Sequence, residues 1–244
     1  MRLIVSLRVK GEPLTLPIHY NELVQGAIYT SLDEEIGDFI HDMGFVHEKR
    51  SFKLFTYSRL MGNYRVDSQV GKIQFVDSIR LVISSPIKVF CASILTRMIK
   101  DGHVRLGTRV VDVEGVEVGE PVVQQDRIRA HTLSPIVAYS TMYRADGRKY
   151  TCYFQPGEAE FADLVSNNLR KKYELVYRSD APPETLVIRT LRQPRMNLLS
   201  YHGTIIKGYS CRLEISGPSA LLQTAVDAGL GSKGSQGFGC IELE

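Results

Sequence analysis

The chain has 244 residues, 43% of them hydrophobic, and a net charge of +3. That supplies a real core for one large or two ordinary domains, and a basicity that permits a nucleic-acid partner without demanding one. No apolar run is long enough to span a bilayer and no charged-then-apolar leader opens the chain, so we expect a cytoplasmic protein with no membrane partner. The four cysteines, Cys91, Cys152, Cys211 and Cys240, form no C-x-x-C pair or Cys/His cluster. They read as small buried side chains in a reducing compartment, not as zinc ligands.

Met1 to Val9 alternates, with Leu3, Val5 and Leu7 on one face, and predicts a half-buried strand. After Pro13 and Pro17, Asn21 caps a helix carrying Leu23, Ala27 and Ile28. Ser31 and Glu34 suggest a capping box for a second short helix with Ile36, Phe39 and Ile40, ended by Gly44. Strands follow over Lys53–Leu60 and Lys72–Ser84. Pro86 then opens a helix with Ile87, Cys91, Ile94, Leu95 and Met98 inward, stopped at Asp101-Gly102. Val104–Val113 and Val116–Val118 close the half as a hairpin. This order is that of the ferredoxin-like split βαβ plan, shared by the RNA-recognition module.

Gly119-Glu120-Pro121 and Gln124-Gln125-Asp126 read as a linker, after which the pattern recurs. Ile128–Tyr139 is strand-like. Pro156-Gly157 precedes a helix with Phe161, Leu164, Val165 and Leu169 inward and Arg170, Lys171 and Lys172 in its last turn. Leu175-Val176-Tyr177, Thr185–Leu191 and Cys211–Ile215 follow as strands. The expected architecture is α+β: two tandem ferredoxin-like domains, 1–122 and 123–244, each an antiparallel sheet covered by helices.

The last helix, Ser219–Ala228, runs into Gly229-Leu230-Gly231-Ser232-Lys233-Gly234-Ser235-Gln236-Gly237-Phe238-Gly239. Gly229, Gly231 and Gly234 spell G-x-G-x-x-G. A dinucleotide fingerprint needs a strand before it and a helix after it, and here the order is reversed. A P-loop fails because Ser235 stands where lysine is needed. The remaining readings are a plain turn or a nest of backbone N–H groups, with Lys233 beside it, suited to phosphate.

Gly-rich loops ending in Gly-Phe-Gly before a final strand resemble the signature of the repeat-associated RNA-binding (RAMP) superfamily of CRISPR systems. This chain resembles its sixth Cas family, the endoribonucleases that cut CRISPR precursor RNA. Leu133-Ser134-Pro135-Ile136 and Lys53-Leu54-Phe55-Thr56-Tyr57-Ser58 are similar to segments of that family. The resemblance implies a catalytic histidine six residues before the lysine, where His47 stands. It also implies a catalytic tyrosine in a Gly-x-Ile-Tyr context, supplied by Gly26-Ala27-Ile28-Tyr29. Its partner is CRISPR repeat RNA, with other Cas proteins of an effector complex as possible neighbours and a monomer or homodimer as the assembly. No cofactor is expected.

The chemistry fits these residue types. An RNA 2′-OH attacking the adjacent phosphate needs a base, an acid for the leaving 5′-oxygen and positive charge for the phosphorane. Histidine moves protons near neutrality, lysine stabilises developing charge and a tyrosine hydroxyl orients the nucleophile. Tyr29, His47 and Lys53 are therefore the expected catalytic set. His41, near the end of a helix, is the rival histidine, able to cap carbonyls or reach the same cleft. The glycines at 229, 231, 234, 237 and 239, with Lys233, Lys49, Arg50, Arg189, Arg192 and Arg195, are the expected RNA contacts. No carboxylate constellation suggests a metal. A non-catalytic RNA-binding scaffold of the same superfamily and an unrelated two-domain RNA-binding protein are the alternatives.

Overall fold

A computed structural model describes every residue from Met1 to Glu244. The first half comprises β1 (Arg2–Arg8), β2 (Leu14–Pro17), α1 (Asn21–Thr30), α2 (Glu34–Asp38) and a π-helical turn, Phe39–Met43. Then come β3 (Phe45–His47), β4 (Arg50–Phe52), β5 (Thr56–Tyr57), β6 (Met61–Asp67), β7 (Lys72–Ser84), α3 (Lys88–Asp101), β8 (His103–Leu106) and β9 (Arg109–Gly119). The alternation of β1 sends Leu3, Val5 and Leu7 inward, all fully buried. They pack with Val24, Ala27 and Ile28 of α1 and with Phe90, Cys91 and Ile94 of α3 in one core. Across the sheet β9, β1, β7 and β6 are neighbours, each pair antiparallel. That is the ferredoxin-like order, with β2, β5 and β8 as additions.

The second half comprises β10 (Arg127–Thr132), β11 (Ala138–Tyr143), β12 (Lys149–Phe154), α4 (Ala159–Tyr177), β13 (Val187–Thr190), β14 (Arg195–Tyr201) and β15 (Thr204–Ser210). It ends with β16 (Arg212–Ser216), α5 (Ser219–Ala228), a 3₁₀ turn at Gly234–Gln236 and β17 (Ile241–Leu243). Its four-stranded sheet runs β13-β16-β10-β17, the same order again. Phe161, Val165 and Leu169 of α4 meet Leu221, Leu222 and Ala225 of α5 in a second core. Two hairpins, β11–β12 and β14–β15, are inserted into this half.

Local readings and structure part in several places. Ile128–Tyr139 is two strands, broken around Pro135, whose ring cannot donate to a ladder. Leu175-Val176-Tyr177 are the last turn of α4; tertiary packing overrides their strand propensity. The closing hairpin turns at Gly107, between β8 and β9, and Val116–Val118 continues β9. Asn21 does not cap α1: Tyr20 is the N-cap, and the Asn21 amide donates to Gln236 O at 2.7 Å. Ser31 bonds back to Ala27 O, so the capping box does not form, and Asp33 precedes α2. The charged stretch around His47 is the hairpin β3–β4.

The two sheets are tied together by buried side chains. Arg2 Nη2 donates to Ile241 O at 2.7 Å, and Ser84 Oγ to Val226 O at 3.1 Å. Thr56 Oγ1 donates to Phe238 O at 2.8 Å. No helix is long and apolar enough to cross a membrane.

Candidate active site and RNA-contact surface

Tyr29 lies in the last turn of α1, one side against Phe55 at 6.0 Å between ring centroids. Its other neighbour is His41, edge to face at 5.7 Å. Burial first, and Tyr201 second, push the Tyr29 phenol up to about 12, so its hydroxyl stays protonated at any working pH. His41 sits in the π-helical turn that extends α2. π turns bulge a helix outward and recur at functional sites; here the turn leaves the imidazole largely exposed. His41 Nδ1 is 2.7 Å from Asp42 Oδ1. An ionised carboxylate only accepts, so Nδ1 carries the proton in this pair, and Nε2 has no protein partner.

Lys53 completes the group. Gly44 (φ +62°) ends the π turn, and a Cβ there would stand 2.7 Å from Phe52 O and 2.9 Å from Lys53 Cδ. That close approach brings the end of β4 back onto the π turn. Lys53 Nζ donates to His41 O at 2.8 Å. Burial lowers the Lys53 pKa, partly opposed by Asp42. The next residue, Leu54, is buried with φ +52°, an uncommon conformation for a bulky side chain. It lets Lys53 leave the core while Phe55 and Tyr57 stay in it.

Tyr29, His41 and Lys53 are thus gathered at one place, and His47 is not with them. His47 stands at the end of β3, where Nε2 meets Glu174 Oε2 of α4 at 2.6 Å and Nδ1 is buried without a partner. It makes no hydrogen bond or ring contact with Tyr29 or Lys53. The cause is the hairpin: counting six residues back from Lys53 crosses β4 and the turn and arrives on β3, at the turn end of the ribbon. No group of His, Cys, Asp or Glu side chains is gathered as metal ligands would be.

The Gly-rich loop is packed rather than bare. The N–H groups of Gly229, Leu230, Ser232, Gln236, Gly237 and Gly239 all bond to carbonyls of the protein. Gly229, Gly231, Gly237 and Gly239 are buried. A Cβ on Gly239 would lie 2.0 Å from Leu230 O, and one on Gly237 2.6 Å from the Tyr57 ring. Ser235 O accepts from Gln25 Nε2 of α1 at 2.6 Å. The loop therefore clasps α1 and the Lys53–Ser58 run, and its exposed part narrows to the half-buried Ser232–Gln236 with Lys233. At Gly229, Gly231, Gly237 and Gly239 glycine is needed for the backbone to approach protein, while the N–H groups of Lys233, Gly234 and Ser235 have no backbone acceptor.

Lys172 holds the clasp from beneath. It is buried, and Nζ donates to the carbonyls of Ala228, Gly229 and Gly231 at 3.0, 2.8 and 3.0 Å. Burial pushes this ammonium down to about 7, while three acceptors facing its three protons work to keep it charged. Sequence reading assigned it to the helix dipole. The missed signal was its place on the inward stripe of α4, after Phe161, Val165 and Leu169.

Of the expected RNA contacts, Lys49, Arg50, Arg189, Arg192 and Arg195 are exposed. None of them, nor Lys53 or Lys233, is in an ion pair. Lys49 and Arg50 form the hairpin tip, Arg189 is on the solvent face of β13, and Arg192 and Arg195 lead into β14. Lys233 Nζ lies over the Tyr139 ring at 5.4 Å.

Known proteins match over the whole of this architecture. A family described as CRISPR associated protein Cas6, C-terminal, matches residues 118–243, and one described as CRISPR-associated protein Cas6, N-terminal, matches residues 15–117. The CRISPR-associated endoribonuclease Cas6 1 of Methanocaldococcus jannaschii is 27% identical over 246 residues, covering 97% of this chain and 91% of that protein. The CRISPR-associated endoribonuclease Cas6 of Pyrococcus furiosus is 24% identical over 248 residues, covering 100% and 90%. A solved structure of a Cas6-related gene product from Pyrococcus furiosus superposes with a TM-score of 0.86 at 19% identity, covering 100% of this chain and 98% of that one. With both halves matched, in order and nearly end to end, the chain belongs to the Cas6 family of CRISPR-associated proteins.

Proposed function

We infer that this chain is an endoribonuclease that binds CRISPR repeat RNA and cuts precursor crRNA within the repeat. The RNA's own 2′-OH attacks the neighbouring phosphate in line, leaving a 5′-hydroxyl and a 2′,3′-cyclic phosphate. The carrying observation is the convergence of Tyr29, His41 and Lys53 from three separate elements. His41 moves the proton through Nε2, held in that tautomer by Asp42. Lys53 supplies the charge that steadies the phosphorane. Tyr29, neutral throughout, orients the 2′-OH by hydrogen bond. A scaffold that only held RNA would have no use for this combination, and the named relatives are endoribonucleases.

The unpaired cations Lys49, Arg50, Arg189, Arg192, Arg195 and Lys233 are assigned to RNA phosphates, and the exposed part of the Gly-rich loop to the RNA nearby. The cut RNA then passes, still bound, to other Cas proteins. The test is cleavage of repeat RNA by pure protein in excess EDTA. Cutting persists, and stops when a single 2′-deoxy nucleotide is placed 5′ of the scissile phosphate, although that RNA still binds. Sensitivity to EDTA with indifference to the 2′-deoxy substitution would mean a metal-activated water and overturn all three roles.

A further inference from the structure

The hairpin β3–β4 belongs to neither large sheet; its two strands pair only with each other. Val46, Glu48, Lys49, Arg50 and Ser51 are exposed, so little core burial fixes it. Its base is held by Phe45 against Phe39 at 5.3 Å between ring centroids, and by Ser51 Oγ donating to Met43 O at 2.5 Å. Its far end is held by the other half of the molecule. His47 bonds Glu174 at 2.6 Å, and the next residue, Glu48, lies 3.6 Å from Lys171 of the same helix. His47 and Glu174 are mostly shielded, their side chains 20% and 34% exposed.

His41 lies just before this hairpin and Lys53 just after it. A displacement of the ribbon therefore moves both groups relative to Tyr29, which is anchored on α1. We propose that His47 is a positioning residue: with Glu174 it latches the β3–β4 hairpin to α4 and so fixes the relative placement of His41 and Lys53. The role rests on the cleavage reading above. Reacting groups misplaced by about 1 Å can lose on the order of a hundredfold in rate, so a loose hairpin registers in the chemical step rather than in RNA affinity.

The test is a double-mutant cycle read in single-turnover cleavage at saturating protein, with binding of the 2′-deoxy repeat RNA measured in parallel. His47→Ala and Glu174→Ala each slow cleavage by roughly ten- to a hundredfold. The double variant is no slower than either single one, because each removes the same contact. Glu174→Gln, which keeps a hydrogen-bonding oxygen, stays near the wild-type rate. Affinity and melting temperature are unchanged in all four. Amide hydrogen exchange over residues 45–52 quickens in Glu174→Ala. A thousandfold loss in His47→Ala with a wild-type rate in Glu174→Ala would make His47 the proton carrier and overturn the proposal. Wild-type rates in both singles, or a loss of affinity in place of rate, would overturn it too. If the wild-type protein cuts no repeat RNA, the function proposed above fails; the latch then stands or falls on the exchange result alone, and unchanged exchange sinks it.

Discussion

At the residue scale the question is which histidine moves the proton. His41 has its Nδ1 proton held by Asp42, a tyrosine beside its ring and a lysine on its own carbonyl. His41→Ala is expected to slow single-turnover cleavage by about a hundred- to ten-thousand-fold, since general acid–base groups contribute on that scale. The loss should exceed that of His47→Ala in the same assay. Tyr29→Phe gives a different signature. Its phenol is raised to about 12, so the neutral form is the stable one and ionisation lies far above neutrality. Tyr29→Phe should lower the rate at every pH yet leave the shape of the pH–rate profile unchanged up to about pH 10. That Tyr29 and Lys53 lie in one neighbourhood, around His41, follows from two short motifs that could be read in the sequence. That His41 rather than His47 lies beside them was not legible, because a count along the chain is blind to a hairpin that doubles back before the lysine.

At the element scale the Gly-rich loop is a joint. Its glycines were legible, and so were the helix before it and the strand after it. Their packing against the protein was not, because bare backbone that approaches RNA and bare backbone that approaches Tyr57 or Leu230 look alike in sequence. Gly237→Val puts a branched side chain at φ +84° against an aromatic ring. Overpacking and the left-handed backbone together should cost about 2–5 kcal/mol of stability. Chemical denaturation should show this loss, and any fall in RNA affinity should track it. Lys172→Met strips three carbonyls of their shared donor while roughly keeping side-chain bulk. At roughly 1 kcal/mol or more for each buried acceptor left unpaired, we expect a loss of about 3 kcal/mol, read as a lowered denaturation midpoint. A midpoint equal to wild type would show that water replaces the ammonium at no cost.

At the scale of the whole molecule, both ferredoxin-like halves carry exposed cations outside any ion pair, Lys49 and Arg50 in the first and Arg189, Arg192 and Arg195 in the second. Affinity for repeat RNA should fall with salt, and Arg192→Ala should make the log–log slope shallower by roughly 0.7 if that side chain neutralises one phosphate on a single strand. An unchanged slope and affinity would return Arg192 to the solvated surface. The tandem plan was legible because strand and helix patterns repeat in one order. The contacts between halves were not, since Arg2, Ser84 and Thr56 carry no mark of their distant carbonyl partners. One of those contacts bears on how the protein is made. Arg2, in the first strand, is buried and donates to Ile241, in the last. At about 5–20 residues per second, a ribosome takes on the order of ten to fifty seconds to supply that carbonyl. Through that interval the Arg2 guanidinium of the nascent first half is without its Ile241 carbonyl and is held by water, and the seam between the halves stays open to solvent and to chaperones. β17, made long after β1, is the strand that closes it.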